Sequence, residues 1–213
     1  MTRADDVVSP KPERSPESAE QRRDTKIAVP PKWLTTPVGL AAIGFSVVYL
    51  ASDILEAEQG HFSAVRLALT YAGEAAIPLF VLGLYAGQRP RIGRLGLFGA
   101  AAYAYAYVFF TSTVVYALVA HTPDYQGVTT AFGPWMVVHG IIMLIGGVAF
   151  GIAVVRARVF PPWTGSCLVV GVVLVTAASG LSSVARTIAE AVPAAAFVGM
   201  GCALLRGSDH ARV

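Results

Sequence analysis

The stretch AFGPWMVVHGIIMLIGGVAFGIAVV, residues 131–155, decides the class of this fold. It is 25 residues long and carries no Lys, Arg, Asp or Glu. A helix needs roughly 20 apolar residues to cross the hydrocarbon core of a bilayer. Working outward, five further apolar segments have the same character: residues 37–54, 63–87, 95–120, 163–181 and 184–205. Each has 18 residues or more. Strands of a membrane barrel would be about 10 residues long with alternating polarity, and neither feature is present. The expectation is an all-α membrane protein, a bundle of six transmembrane helices over residues 34–206.

The composition agrees. Hydrophobic residues make up 55% of the 213 and charged residues only 14%, with a mean hydropathy of +0.61. A soluble domain carries about 25% charge to face water. The net charge of +3 and the pI near 9.0 therefore do not indicate a nucleic-acid binder. Cys167 and Cys202 lie inside apolar runs with no CxxC spacing, so zinc knuckles and CxxC redox centres have no support. No apolar run precedes residue 27, so the first span is expected to act as an uncleaved signal.

Residues 1–33 differ from the rest. They mix Lys, Arg, Asp and Glu, hold Pro10, Pro12, Pro16, Pro30 and Pro31, and show no aromatic before Trp33. A disordered cytoplasmic tail is expected there, with a second short tail over 207–213. Fourteen of the 16 Lys and Arg residues fall on the side of the termini, including Arg89, Arg91, Arg94, Arg156 and Arg158. Only Arg66 and Arg186 fall on the other. The positive-inside rule places both termini in the cytoplasm of a plasma-membrane protein, and Trp33, Trp135 and Trp163 sit at segment edges where indoles favour headgroups.

Two runs are alike: Gly73-Glu74-Ala75-Ala76-Ile77-Pro78 and Ala189-Glu190-Ala191-Val192-Pro193. Each follows a helix entered through Pro-Pro, at Pro30-Pro31-Lys32-Trp33 and Pro161-Pro162-Trp163. This suggests that the first and third hairpins are duplicated in parallel; chance similarity in alanine-rich sequence is the alternative.

The residues with chemistry are few. Glu74, His139 and Glu190 fall within the spans, at depths of roughly 16, 12 and 9 Å at 1.5 Å per residue. Ionisable groups there are costly and usually face a cavity or a partner. Arg66 is two turns before Glu74 and is placed to lean toward it. Arg186 is four residues before Glu190, the spacing of a same-face ion pair. Glu74 reads as a proton carrier, a cation ligand or a general acid, or else as a protonated group bonded to a neighbouring helix. Pro78 frees the carbonyl of Glu74 from its helical bond. His139 reads as a relay or ligand, or as a satisfied core histidine. Asp53, Glu56 and Glu58 are expected in an outer loop after the first helix, with His61; His121 and Asp124 are expected in the next. Asp53, Glu56 and His61 read as an outer metal site with His121 and Asp124 or as a solvated acidic loop; no HExxH or DxD spacing demands a metal, and the sequence leaves the cofactor unknown. Tyr103, Tyr107 and Phe110 share one helix face and form an aromatic wall able to bind a cationic solute or stabilise a carbocation. Gly146, Gly147, Gly151, Gly199 and Gly201 permit close helix contact, within the bundle or in an oligomer.

The Pro161-Pro162-Trp163 entry, followed by a glycine-bearing apolar helix, resembles small actinobacterial multi-span membrane proteins; this resemblance implies a six-helix bundle and no chemistry. The chain also resembles, more weakly, small integral-membrane terpene cyclases, which implies acid catalysis on a prenyl chain by Glu74 and Glu190. Those enzymes have seven spans against the six expected here.

The expected function is binding or passage of a small solute, coupled to protons, through an outward-facing polar pocket. Glu74, His139 and Glu190 line it, Arg66 and Arg186 are their charge partners, and Asp53 lies at the rim. An intramembrane enzyme acting on a lipid or prenyl substrate is the first alternative. A scaffold or accessory subunit is the second.

Overall fold

The structure, a computed structural model, describes residues 32–210. Its elements are all helices: α1 Lys32–Gln59, α2 Ala64–Ala86, α3 Gly93–Ala120, α4 Tyr125–Phe132, α5 Pro134–Ala157, α6 Pro162–Ala178 and α7 Ser183–His210. The tail expected over 1–33 lies, up to residue 31, outside the described residues. At the other end α7 continues to His210, past the point where a C-terminal tail is expected to start.

By length and composition α1, α2, α3, α5 and α7 can cross a membrane, and α6 is an apolar helix of 17 residues. Their outer surfaces are apolar: Trp33, Leu79 and Val119 are each about three-quarters exposed. Such residues on a water-facing surface would be an aggregation liability, and against lipid tails they are at home.

Two details differ from the expectation. The first helix does not stop at residue 54. Leu55-Glu56-Ala57-Glu58-Gln59 are good helix formers, and nothing breaks the helix before Gly60, whose φ is +70°. Asp53, Glu56 and Glu58 therefore sit on helix α1 and not in a loop. The extra helix α4 was also absent from the sequence reading. Asp124 caps it, its carboxylate accepting from Gly127 N at 2.9 Å, and Gly133 ends it at φ +51°.

The long helices form a closed ring in the order α1, α2, α3, α5, α6, α7, with α7 returning against α1. Short connections make each sequential pair antiparallel. Lipid tails are as apolar as leucine, so close packing holds such helices together. Glycines supply it. A Cβ on Gly146 would lie 2.6 Å from Tyr103 N of α3, one on Gly151 2.7 Å from Gly165 O of α6, and one on Gly201 2.7 Å from Gly39 O of α1. Gly147 seats on Val172, and Gly199 on Trp163. The glycine faces offered above for an oligomer are thus occupied within one chain.

One end of the ring is filled. Phe80, Phe150, Leu84, Leu168 and Met200 are fully buried there, and Phe80 meets Phe197 edge-on at 5.2 Å between ring centroids. The other end, where α4 and the α1–α2 and α6–α7 connections lie, is hollow.

Candidate functional site

The hollow end encloses a cavity of about 420 Å³. Helical periodicity selects what faces it. From α1 come Tyr49, Asp53 and Glu56; from α2, Arg66, Thr70 and Glu74; from α7, Arg186, Thr187 and Glu190. Each set follows the three- and four-residue spacing of a single helix face. From α3, Tyr107 and Phe110 complete the wall. A wider vestibule shares Glu56, Tyr125 and Arg186 with the cavity and leads to it.

Glu56 organises the entrance. Its two carboxylate oxygens are divided between helices: Oε2 pairs with Arg66 Nη2 of α2, and Oε1 accepts from Arg186 Nη2 of α7 at 2.5 Å. The guanidinium of Arg66 lies over the Phe62 ring, 4.2 Å from its centroid, and that of Arg186 over Tyr125 at 4.7 Å. Burial pushes the Tyr125 phenol up from its ordinary pKa, and Arg186 pulls it partly back. Thr187 donates to the carbonyl of Asp53 at 3.1 Å, a second tie between α7 and α1. Thr70 donates to Ser52 Oγ at 3.1 Å, a tie between α2 and α1.

This corrects two sequence-based pairings. Arg66 pairs with Glu56 and not with Glu74; Arg186 pairs with the same Glu56 and not with Glu190. α1 presents Glu56 between both arginines, with one carboxylate oxygen for each. Glu56, read from the sequence only in an outer acidic loop or metal site, is the residue missing from the expected polar pocket. Its signal was the i, i+3 spacing from Asp53 on a continuing helix.

Deeper in, Glu74 and Glu190 are left without a cation assigned to them among the ion pairs. Among the described residues, Glu74 Oε2 and Asp53 Oδ2 are buried with no hydrogen-bond partner. Glu74 is 6% exposed and Asp53 7%. Buried polar atoms without partners are uncommon and call for an explanation.

Of the aromatic wall, Tyr107 and Phe110 line the cavity, while Tyr103 lies beneath it. The Tyr103 hydroxyl donates to the Tyr107 hydroxyl at 3.4 Å, and its ring packs on Phe197. His139 is elsewhere. Its ring stacks on Phe109 of α3, 3.7 Å between centroids and 6° apart in plane, and its Nδ1 donates to Trp135 O at 2.8 Å. The cavity face of α5 is Met136, Val137, Gly140, Ile141 and Met143. His139 points to α3 instead, so Glu74, His139 and Glu190 do not converge, but Glu74 and Glu190 do. No group of three His, Cys, Asp or Glu side chains among the described residues is arranged to hold a metal ion.

The cavity is therefore an acid-bearing, aromatic-walled chamber behind an arginine-carboxylate gate. Neither a protein-family model, nor a curated protein, nor a solved structure matches this chain, so its reading rests on this geometry.

Proposed function

We propose that this chain is a six-span plasma-membrane protein, with both termini cytoplasmic, that binds and moves a small solute through a pocket open to the outside. The observation that carries this reading is the convergence of Asp53, Glu74 and Glu190 from three helices on one cavity, two of them with an unpartnered buried oxygen. Glu56 is the ion-pair partner of both arginines, and neither Glu74 nor Glu190 has an ion pair among the described residues. An acidic chamber with Tyr49, Tyr107 and Phe110 on its walls suits a small cation. Glu74 is the carboxyl that exchanges the solute for a proton. The charged and titratable groups sharing the cavity with it are Tyr49, Asp53 and Glu56 from α1, Arg66 from its own helix, Tyr107 from α3, Tyr125 from α4, and Arg186 and Glu190 from α7. The lining of α5 and α6 is uncharged.

The test is calorimetric titration of the protein in nanodiscs with small amines and quaternary ammonium ions. Binding is expected to strengthen as pH rises, because a cation and a proton compete for the same carboxyl, and Glu74→Gln is expected to abolish it. Unchanged binding by Glu74→Gln overturns the role. A second reading is an intramembrane acid catalyst, favoured by two carboxyls beside Tyr107 and Phe110; a new lipid species in cells expressing the protein, lost in Glu74→Gln, would support it.

A further inference from the structure

The wall of the cavity between α5 and α6 is not closed along its length. At the filled end the two helices touch through backbone. A Cβ on Gly151 would lie 2.7 Å from Gly165 O, and one on Gly147 2.6 Å from a Val172 methyl. At 3.6 residues per turn, Gly140 falls within about 40° of Gly147 and Gly151 on the same face. Yet a Cβ on Gly140 would meet nothing within 4 Å. On the facing helix, Thr176 continues the stripe of Gly165, Val169 and Val172 and lines the cavity, and a Cβ on Gly180, in the turn that follows, also meets nothing. The contact stripe runs on while the contact does not, so the helices part toward the hollow end.

The lining of the cavity at this point agrees with a gap. Val137 and Ile141 border the cavity and are 64% and 50% exposed. Gly140 lies roughly 9 Å along α5 from its first residue, at a depth where the surroundings of a spanning helix are acyl chains. The slot is apolar, whereas the chamber behind it carries Glu74 and Glu190.

We infer that the ligand of this chamber is an amphiphilic cation: an ammonium head held by the buried carboxyls among Tyr107 and Phe110, and an alkyl chain lying in the slot between α5 and α6, through which it enters from the bilayer. The inference rests on the solute-binding reading above and adds the class of solute and its route. Charge complementarity selects the head. The entrance cluster of Asp53, Glu56, Arg66 and Arg186 is formally balanced, and Glu74 and Glu190 leave the interior acidic. The slot selects the tail, since a solute taken only from water needs no apolar side door.

The experiment uses the full chain in phosphatidylcholine nanodiscs, with empty discs as the baseline for partitioning. Tetramethylammonium and dodecyltrimethylammonium share a head and differ in the chain. The long-chain ion is expected to bind at least tenfold more tightly. Gly140→Trp and Thr176→Trp, which plug the slot from opposite sides, are each expected to weaken the long-chain ion far more than tetramethylammonium and so to remove that gain, with the thermal unfolding midpoint in the same discs reporting that the variants fold. Equal affinity for the two ions, or a gain that survives both plugs, overturns the slot while leaving the chamber reading in place. Binding of neither ion overturns both. Tighter binding of dodecyl phosphate than of dodecyltrimethylammonium overturns the assignment of a cationic head.

Discussion

Glu56 is one carboxylate serving two guanidinium groups on two different helices. Its own side chain is 14% exposed, and those of Arg66 and Arg186 are 8% and 21%. Removing its charge would leave two cations in a confined site with ring faces as their remaining partners. Glu56→Gln is therefore expected to destabilise the protein by on the order of 3 kcal/mol, read as a lowered Tm in detergent. Glu56→Asp, which keeps the charge but shortens the reach, should recover part of the loss. Glu74 should behave in the opposite way. It has an oxygen without a partner, so Glu74→Gln removes a desolvated acid and should shift stability by less than about 1 kcal/mol while removing binding. His139→Ala should cost stability, through the lost ring stack on Phe109, and leave any binding signal unchanged. Much of this site could be read in the sequence: Glu74, Glu190, Asp53, Arg66 and Arg186 are conspicuous because charge is scarce. Their pairing could not, because the spacing of charges along one helix says nothing about the helix beside it. His139 misleads for the same reason. Its depth is visible in the sequence, and the side of α5 that faces the hollow is not.

Among the elements, the apolar segments of the sequence correspond to the long helices, since the hydrophobic runs that a membrane demands are also helix-forming. Their ends were less legible. Hydropathy registers where the lipid stops, and α1 continues for another turn beyond it on residues that favour helix in water. The helix α4 is too short and too polar to register as apolar, and only its Asp124 and Gly133 caps mark it. Glycine position governs how the helices meet. Gly151→Leu is expected to destabilise the bundle by about 1–3 kcal/mol, because the new side chain is driven into the backbone of α6. Gly44→Leu is a matched control: a Cβ there meets nothing within 4 Å, and its stability should stay within about 0.5 kcal/mol of the parent or rise from improved helix propensity. Thermal unfolding followed by circular dichroism in the same detergent compares the two.

For the molecule as a whole, the ring has one filled end and one hollow end, and under the proposed topology the hollow end faces outward. Glu58 and Gln126 are exposed at the hollow end and Arg91 at the filled end. With Cys167 and Cys202 replaced by alanine, Glu58→Cys and Gln126→Cys are expected to react with a membrane-impermeant maleimide added to intact cells, and Arg91→Cys only after lysis. The reverse pattern would turn the chamber toward the cytoplasm and end the outward-facing reading.

The return of α7 against α1 has a consequence for how the protein is made. A ribosome delivers the helices in order, and the first must wait for the last before the circle is complete. Until Ser183–His210 emerges, Glu56 has only one of its two arginines, Gly39 lacks its seat on Gly201, and the chamber has an open side. Every earlier stage of synthesis therefore exposes an unsatisfied acidic edge within the bilayer. That edge is a ready mark for membrane proteases, and chains cut short before α7 should be cleared far faster than the finished protein.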